Sequence, residues 1–109
     1  MLNTTHFYLR NVDGIPRGVV AMAPVESGDF LVAASLCASG DKWSRRAGIA
    51  KARGRLRSEH NRLFVSGSLM DALRELLGET PSLDGIDFGH AQKLFDRQVQ
   101  WYRDRQESA

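Results

Sequence analysis

The feature that most constrains this chain is the uncharged run Phe30-Leu31-Val32-Ala33-Ala34-Ser35-Leu36-Cys37. Eight residues without a charge, six of them apolar at both parities, fit a central strand with covered faces. Two shorter runs precede it. Thr5–Val12 alternates crudely, with Phe7, Leu9 and Asn11 on one side and Tyr8, Arg10 and Val12 on the other. Arg17–Ala23 is the second. Asp13-Gly14 separates these two, and Glu26-Ser27-Gly28-Asp29 separates the second from the third. Glycine tolerates the positive φ that tight turns need. Pro16 has no N–H for a ladder, so pairing is expected to resume after it, and Pro24 closes the second run. Three consecutive strands on short links predict an antiparallel meander.

Ser39-Gly40-Asp41 ends the strand pattern. Asp41 or Ser44 can cap a following helix by offering a side-chain oxygen to the open N–H groups of its first turn. That helix is expected to run to about His60. On a wheel with 100° steps, Trp43, Ala47, Ala50 and Gly54 fall within about 60° of one another. This small-residue face is the one expected to lie on the sheet. Ile49, Ala52 and Leu56 form a second apolar strip. Gly48 and Gly54 each cost a helix about 1 kcal/mol relative to alanine, which suggests close packing at both.

Arg62–Val65 reads as a short fourth strand or a helix tail, and the turn Ser66-Gly67-Ser68 that follows favours the strand. Ser68 caps a helix containing Leu69, Met70, Leu73, Leu76 and Leu77, with Asp71 as a weak capping box and Gly78 as its stop. Glu79–Gly85 is expected to be a loop. Asp87 caps the last helix, which runs to about Arg105 with Ala91, Leu94, Phe95, Gln98, Trp101 and Tyr102 as its inner face. The sum is a single α+β domain over residues 1–109. It has an antiparallel sheet of three or four strands and about three helices packed on one face.

Charge is split along the chain. Residues Lys42–Arg62 hold eight of the fifteen Lys and Arg but one acid, Glu59, for a local net charge of +7. The remainder stands at −5, so the total of +2 hides a dipolar molecule. Such a split points to a negatively charged partner, either nucleic acid or an acidic protein surface. Within the basic helix, Arg46, Arg53 and Arg57 cluster within about 40°, and Lys51 and Arg55 lie about 160° away. Arg45, Arg46, Lys51, Arg53, Arg55 and Arg57 are therefore the candidate binding residues. Arginine's planar fork pairs with phosphate or carboxylate through two hydrogen bonds. Solvation, or pairing with the acids downstream of the helix, is the bland account of the same charges.

Catalytic signals are lacking. His6, His60 and His90 have no His or Cys at metal-ligand spacing, so no metal is expected. Cys37 beside an apolar run reads as a buried thiol on a strand rather than a nucleophile. Ser66-Gly67-Ser68 lacks the Gly-x-Ser-x-Gly frame of a nucleophile elbow, and Asp87-Phe88-Gly89 stands without the other kinase elements. No enzyme activity and no cofactor are expected. No apolar run approaches the roughly 20 residues a bilayer span needs. Met1–His6 lacks the basic start and apolar centre of a secretory signal. With a lone cysteine, a reducing cytoplasm is the simplest compartment. A homodimer is expected if Trp101 and Tyr102 are left exposed.

Asp41-Lys42-Trp43-Ser44-Arg45-Arg46-Ala47-Gly48, followed by Ala52 and Gly54-Arg55-Leu56, resembles a segment of small phage and prophage proteins of unassigned function. The pattern is an Asp-x-aromatic-Ser-Arg opening that leads into Gly, Ala and Gly-Arg-Leu. It covers about sixteen residues, and Ile49 and Lys51 depart from it. The resemblance implies a mobile-element origin and a small accessory role in a bacterial host. By analogy with anti-CRISPR proteins, it implies inhibition of a host defence complex. A direct DNA- or RNA-binding module using residues 42–62 is the alternative.

Overall fold

A computed structural model describes residues 4–107 except 39, 66 and 79. The readings that rest on Met1–Asn3, Ser39, Ser66 and Glu79 lie outside the described residues. Four strands form one antiparallel sheet in the order β1 (Thr5–Arg10), β2 (Pro16–Pro24), β3 (Phe30–Leu36) and β4 (Leu63–Val65). Helix α1 (Arg45–Leu56) connects β3 to β4, with a 3-10 turn over Glu59–Asn61. Helices α2 (Leu69–Leu77), α3 (Pro81–Asp84) and α4 (Phe88–Glu107) follow.

The first two links are built as their sequences demand. Asn11 Oδ1 accepts from the N–H groups of Asp13 and Ile15, both at 3.0 Å, and Gly14 takes a φ of 82°. Gly28 takes a φ of 93° in the second link. Pro16 does enter the sheet, opposite Arg10, beside a register shift between Leu9 and Arg10. The first position of a strand is one that proline tolerates.

The sheet is covered on both faces, which corrects the expectation of helices on one face. On β2, Val20 and Met22 belong to a core shared with α2, α3 and α4, including Leu73, Leu83 and Phe95. Val19, Ala21 and Ala23 belong to a second core with Ala52 and Leu56 of α1. The cause is the apolar character of β2 and β3 at both parities. A bare face on either side would leave fully buried residues such as Val19 or Met22 in water, at about 1.5–3 kcal/mol each. Small side chains at Ala21, Ala23 and Ala33 let α1 lie close to its face of the sheet.

Three contacts fix α1. The buried Ser35 hydroxyl donates to the Gly48 carbonyl at 2.8 Å. A Cβ built on Gly48 would stand 2.9 Å from Val19 Cγ2. Trp43, just ahead of the helix, meets the Tyr8 ring edge-on at 6.2 Å. At the far end of the chain, Tyr102 is buried and its hydroxyl lies 3.2 Å from Thr5 Oγ1. Trp101 is 43% exposed, so it leaves the inner face of α4 predicted for it. Arg105 stacks over its ring at 4.0 Å.

Candidate anion-binding face

Helix α1 begins at Ser44, whose Oγ accepts from the Ala47 N–H at 3.2 Å. It carries no acid in its first turn and holds Arg53 and Arg55 in its last, where cations meet the negative end of the helix dipole. The buried side is Ile49, Ala52 and Leu56, with Ala52 and Leu56 fully covered. The strip expected on the sheet, Ala47, Ala50 and Gly54, faces solvent instead. Burial of two long aliphatic side chains outweighs burial of three small residues, because the gain scales with apolar area.

This reversal places the candidate residues. Arg45 and Arg46 are exposed at the head of the helix, and Arg57 is exposed just beyond its end. Lys51 is exposed on the opposite flank of the Ala47–Ala50–Gly54 strip. Arg53 is half-buried and turns towards β1, its Nη2 3.4 Å from His6 Nδ1. Its Nε is buried with no partner. Arg55 turns the other way and donates from Nη1 to the Ala34 carbonyl at 2.7 Å. Arg62, after the helix, donates to the Leu56 carbonyl at 3.2 Å. The structure thus leaves Arg45, Arg46, Lys51 and Arg57 exposed, with Arg46 and Arg57 on one flank of the strip and Lys51 on the other, and engages Arg53 and Arg55 with neutral groups. Among the described residues, no carboxylate pairs with any of the six.

Two further residues belong to this surface. His6 holds its imidazole below the ordinary value of 6.5, first because burial disfavours the cation, then through the Arg53 and Arg45 charges. The alternation of β1, which sends His6 and Tyr8 to the same face, was the signal for it. Lys42 is exposed beside a cleft of about 240 Å³ that Cys37, Trp43, Gly48 and Lys51 also line. Cys37 lies one residue past β3 and is half-buried, not a core thiol on the strand. Its Sγ donates to the Asp41 carbonyl at 3.4 Å. No group of three or more His, Cys, Asp or Glu among the described residues could hold a metal. Among the described residues no helix is long and apolar enough to cross a membrane.

Comparison with family models, curated proteins and solved structures gave no match. The functional reading therefore rests on the chemistry of this face.

Proposed function

We propose that this is a non-enzymatic binding protein that engages a nucleoprotein complex through the cationic face of α1. The supporting observation is that Arg45, Arg46, Lys51 and Arg57 are each exposed on or beside α1, with no carboxylate partner among the described residues. In the sharper version, which leans on the phage-like segment, the protein is a mobile-element inhibitor of a host defence complex in the bacterial cytoplasm. Affinity for phosphates or acidic side chains would come from paired hydrogen bonds and released counterions.

Direct binding of free DNA or RNA is the second reading. The exposed Ala47–Ala50–Gly54 strip favours it, because small residues between cationic flanks let a helix approach a groove closely. Gel-shift titration at several salt concentrations, run beside affinity capture from a bacterial host lysate, separates the two. A shift that weakens steeply with salt supports the free nucleic acid. Capture of a defined nucleoprotein complex, without a shift at low salt, supports the complex. Neither outcome, in a folded protein, removes both.

A further inference from the structure

The outer edge of β4 is open. Cys37 N–H donates to the Arg17 carbonyl at 2.7 Å, which sets the alternation of hydrogen bonding along β3. Residues 31, 33 and 35 then bond to β2, and residues 30 and 32 bond to β4. In the register Phe30↔Val65, Leu31↔Phe64, Val32↔Leu63, the Phe64 N–H and C=O therefore point away from the sheet. Neither has a partner among the described residues. The Phe64 ring is 67% exposed on the α1 side of the sheet.

The other side of this edge is walled by α2. A groove of about 260 Å³ runs between them, lined by β4 together with Ser68, Asp71, Ala72 and Glu75. Asp71 and Glu75 are exposed and one turn apart, with no cationic partner among the described residues. Four helical residues rise about 6 Å. Two strand residues span about 6.6 Å. Carboxylates at i and i+4 on α2 therefore match side chains at i and i+2 on one face of an added strand.

We propose that this groove takes an extended basic segment of a partner protein as a fifth strand. The residue opposite Phe64 exchanges both hydrogen bonds with it and lays an apolar side chain beside the phenyl ring. Its two neighbours point to the other face, where lysine or arginine meets Asp71 and Glu75. The recognised pattern is basic–apolar–basic in an extended chain. This surface is separate from the cationic face of α1 and opposite to it in charge.

The test is fluorescence anisotropy of the full chain with a labelled eight-residue peptide alternating lysine and valine. Expected results are saturable binding, a loss of tenfold or more when the valines are N-methylated, and a similar loss with the D71N/E75Q variant. Phe64, Asp71 and Glu75 are exposed, and thermal melts establish that the variants fold. No saturable binding, equal binding of the N-methylated peptide, or binding by D71N/E75Q within twofold of the parent overturns the proposal. Sedimentation of the chain alone gives one more decisive outcome. A dimer that F64S dissolves makes a second copy's β4 the occupant and also overturns it.

Discussion

Arg55 donates to the Ala34 carbonyl at 2.7 Å, and that carbonyl lies on the side of β3 that β4 is too short to reach. β4 pairs with Phe30–Val32 only, so the rest of that edge needs another donor. A cation on α1 supplies it and ties the helix to the sheet. Arg55→Met keeps the aliphatic stem and removes the donor. The expected loss is about 1 kcal/mol, below the usual range for a charged donor because Arg55 is solvent-exposed. Urea denaturation with an unchanged m-value checks it.

Among the described residues Arg46 and Arg57 have no such hydrogen bond, and both are exposed. Arg46→Ala with Arg57→Ala should leave stability within about 0.5 kcal/mol of the parent. If α1 meets phosphates, the same pair of changes lowers affinity and reduces the slope of log K against log salt by about 1 per lost contact. Paired salt titrations read this directly. An unchanged slope would remove these two residues from the interface.

The two helix glycines should respond in opposite directions. At Gly54 a new Cβ meets nothing within 4 Å, so Gly54→Ala should stabilise by about 0.5–1 kcal/mol through helix propensity. At Gly48 the new Cβ would stand 2.9 Å from Val19 Cγ2 and 3.3 Å from Trp43 Cη2. Val19 is fully buried and β-branched, so it has little room to yield. Overpacking of 1–3 kcal/mol should exceed the propensity gain, leaving Gly48→Ala less stable by about 1 kcal/mol. Two thermal melts decide it.

These glycines also mark how far the fold was legible from sequence. The strands are readable because Gly14 and Gly28 punctuate apolar runs, and helix starts are readable at Ser68 and Asp87 and, for α1, as one of Asp41 and Ser44, of which Ser44 is the cap. Stop signals were weaker. Nothing in Arg57-Ser58-Glu59-His60 forbids helix, yet α1 ends at Leu56. Helix α3 falls inside the expected loop 79–85, although Thr80 caps it and Pro81 occupies its first turn. At the candidate site, the charges were visible but their directions were not. A wheel reports which residues share a face, and only the sheet's residues decide which face is covered. Ala21, Ala23 and Ala33 on one side of the sheet admit Ile49, Ala52 and Leu56. Arg53 and Arg55 then fall at the two margins, where His6 and the Ala34 carbonyl meet them.

His6 gives the molecule a pH dependence with a defined sign. Its folded-state value lies below 6.5 because burial, Arg53 and Arg45 all oppose the cation. Near pH 6 the unfolded chain therefore binds more protons here than the folded one. The stability this group contributes is complete above pH 6.5 and is lost as pH falls through the depressed folded value. Denaturation midpoints measured from pH 7.5 down to 5 should decline, and His6→Asn should flatten part of that decline while keeping an acceptor for Arg53. An identical pH profile in His6→Asn would assign the decline to other groups.

The two cores should fail differently. The core on the α1 side holds seven buried residues, four of them alanines, so Leu56 supplies much of its apolar area. The other core is larger and joins all four strands to α2, α3 and α4. Leu73→Ala should cost about 2–4 kcal/mol and be felt throughout, since Leu73 is fully buried in the larger core. Leu56→Ala should cost a similar amount but act locally. With Leu56 gone, α1 is held by Ala52, the half-buried Ile49 and Trp43, the Ser35 bond to Gly48 and the Arg55 bond to Ala34. Removing that anchor lowers the free energy of opening for α1 more than for the sheet. Native-state hydrogen exchange should therefore show α1 amides losing protection in Leu56→Ala while β2 and α4 keep theirs. In Leu73→Ala the most protected amides of all elements should shift together. Uniform loss of protection in both variants would make the domain one cooperative unit in which α1 cannot open on its own.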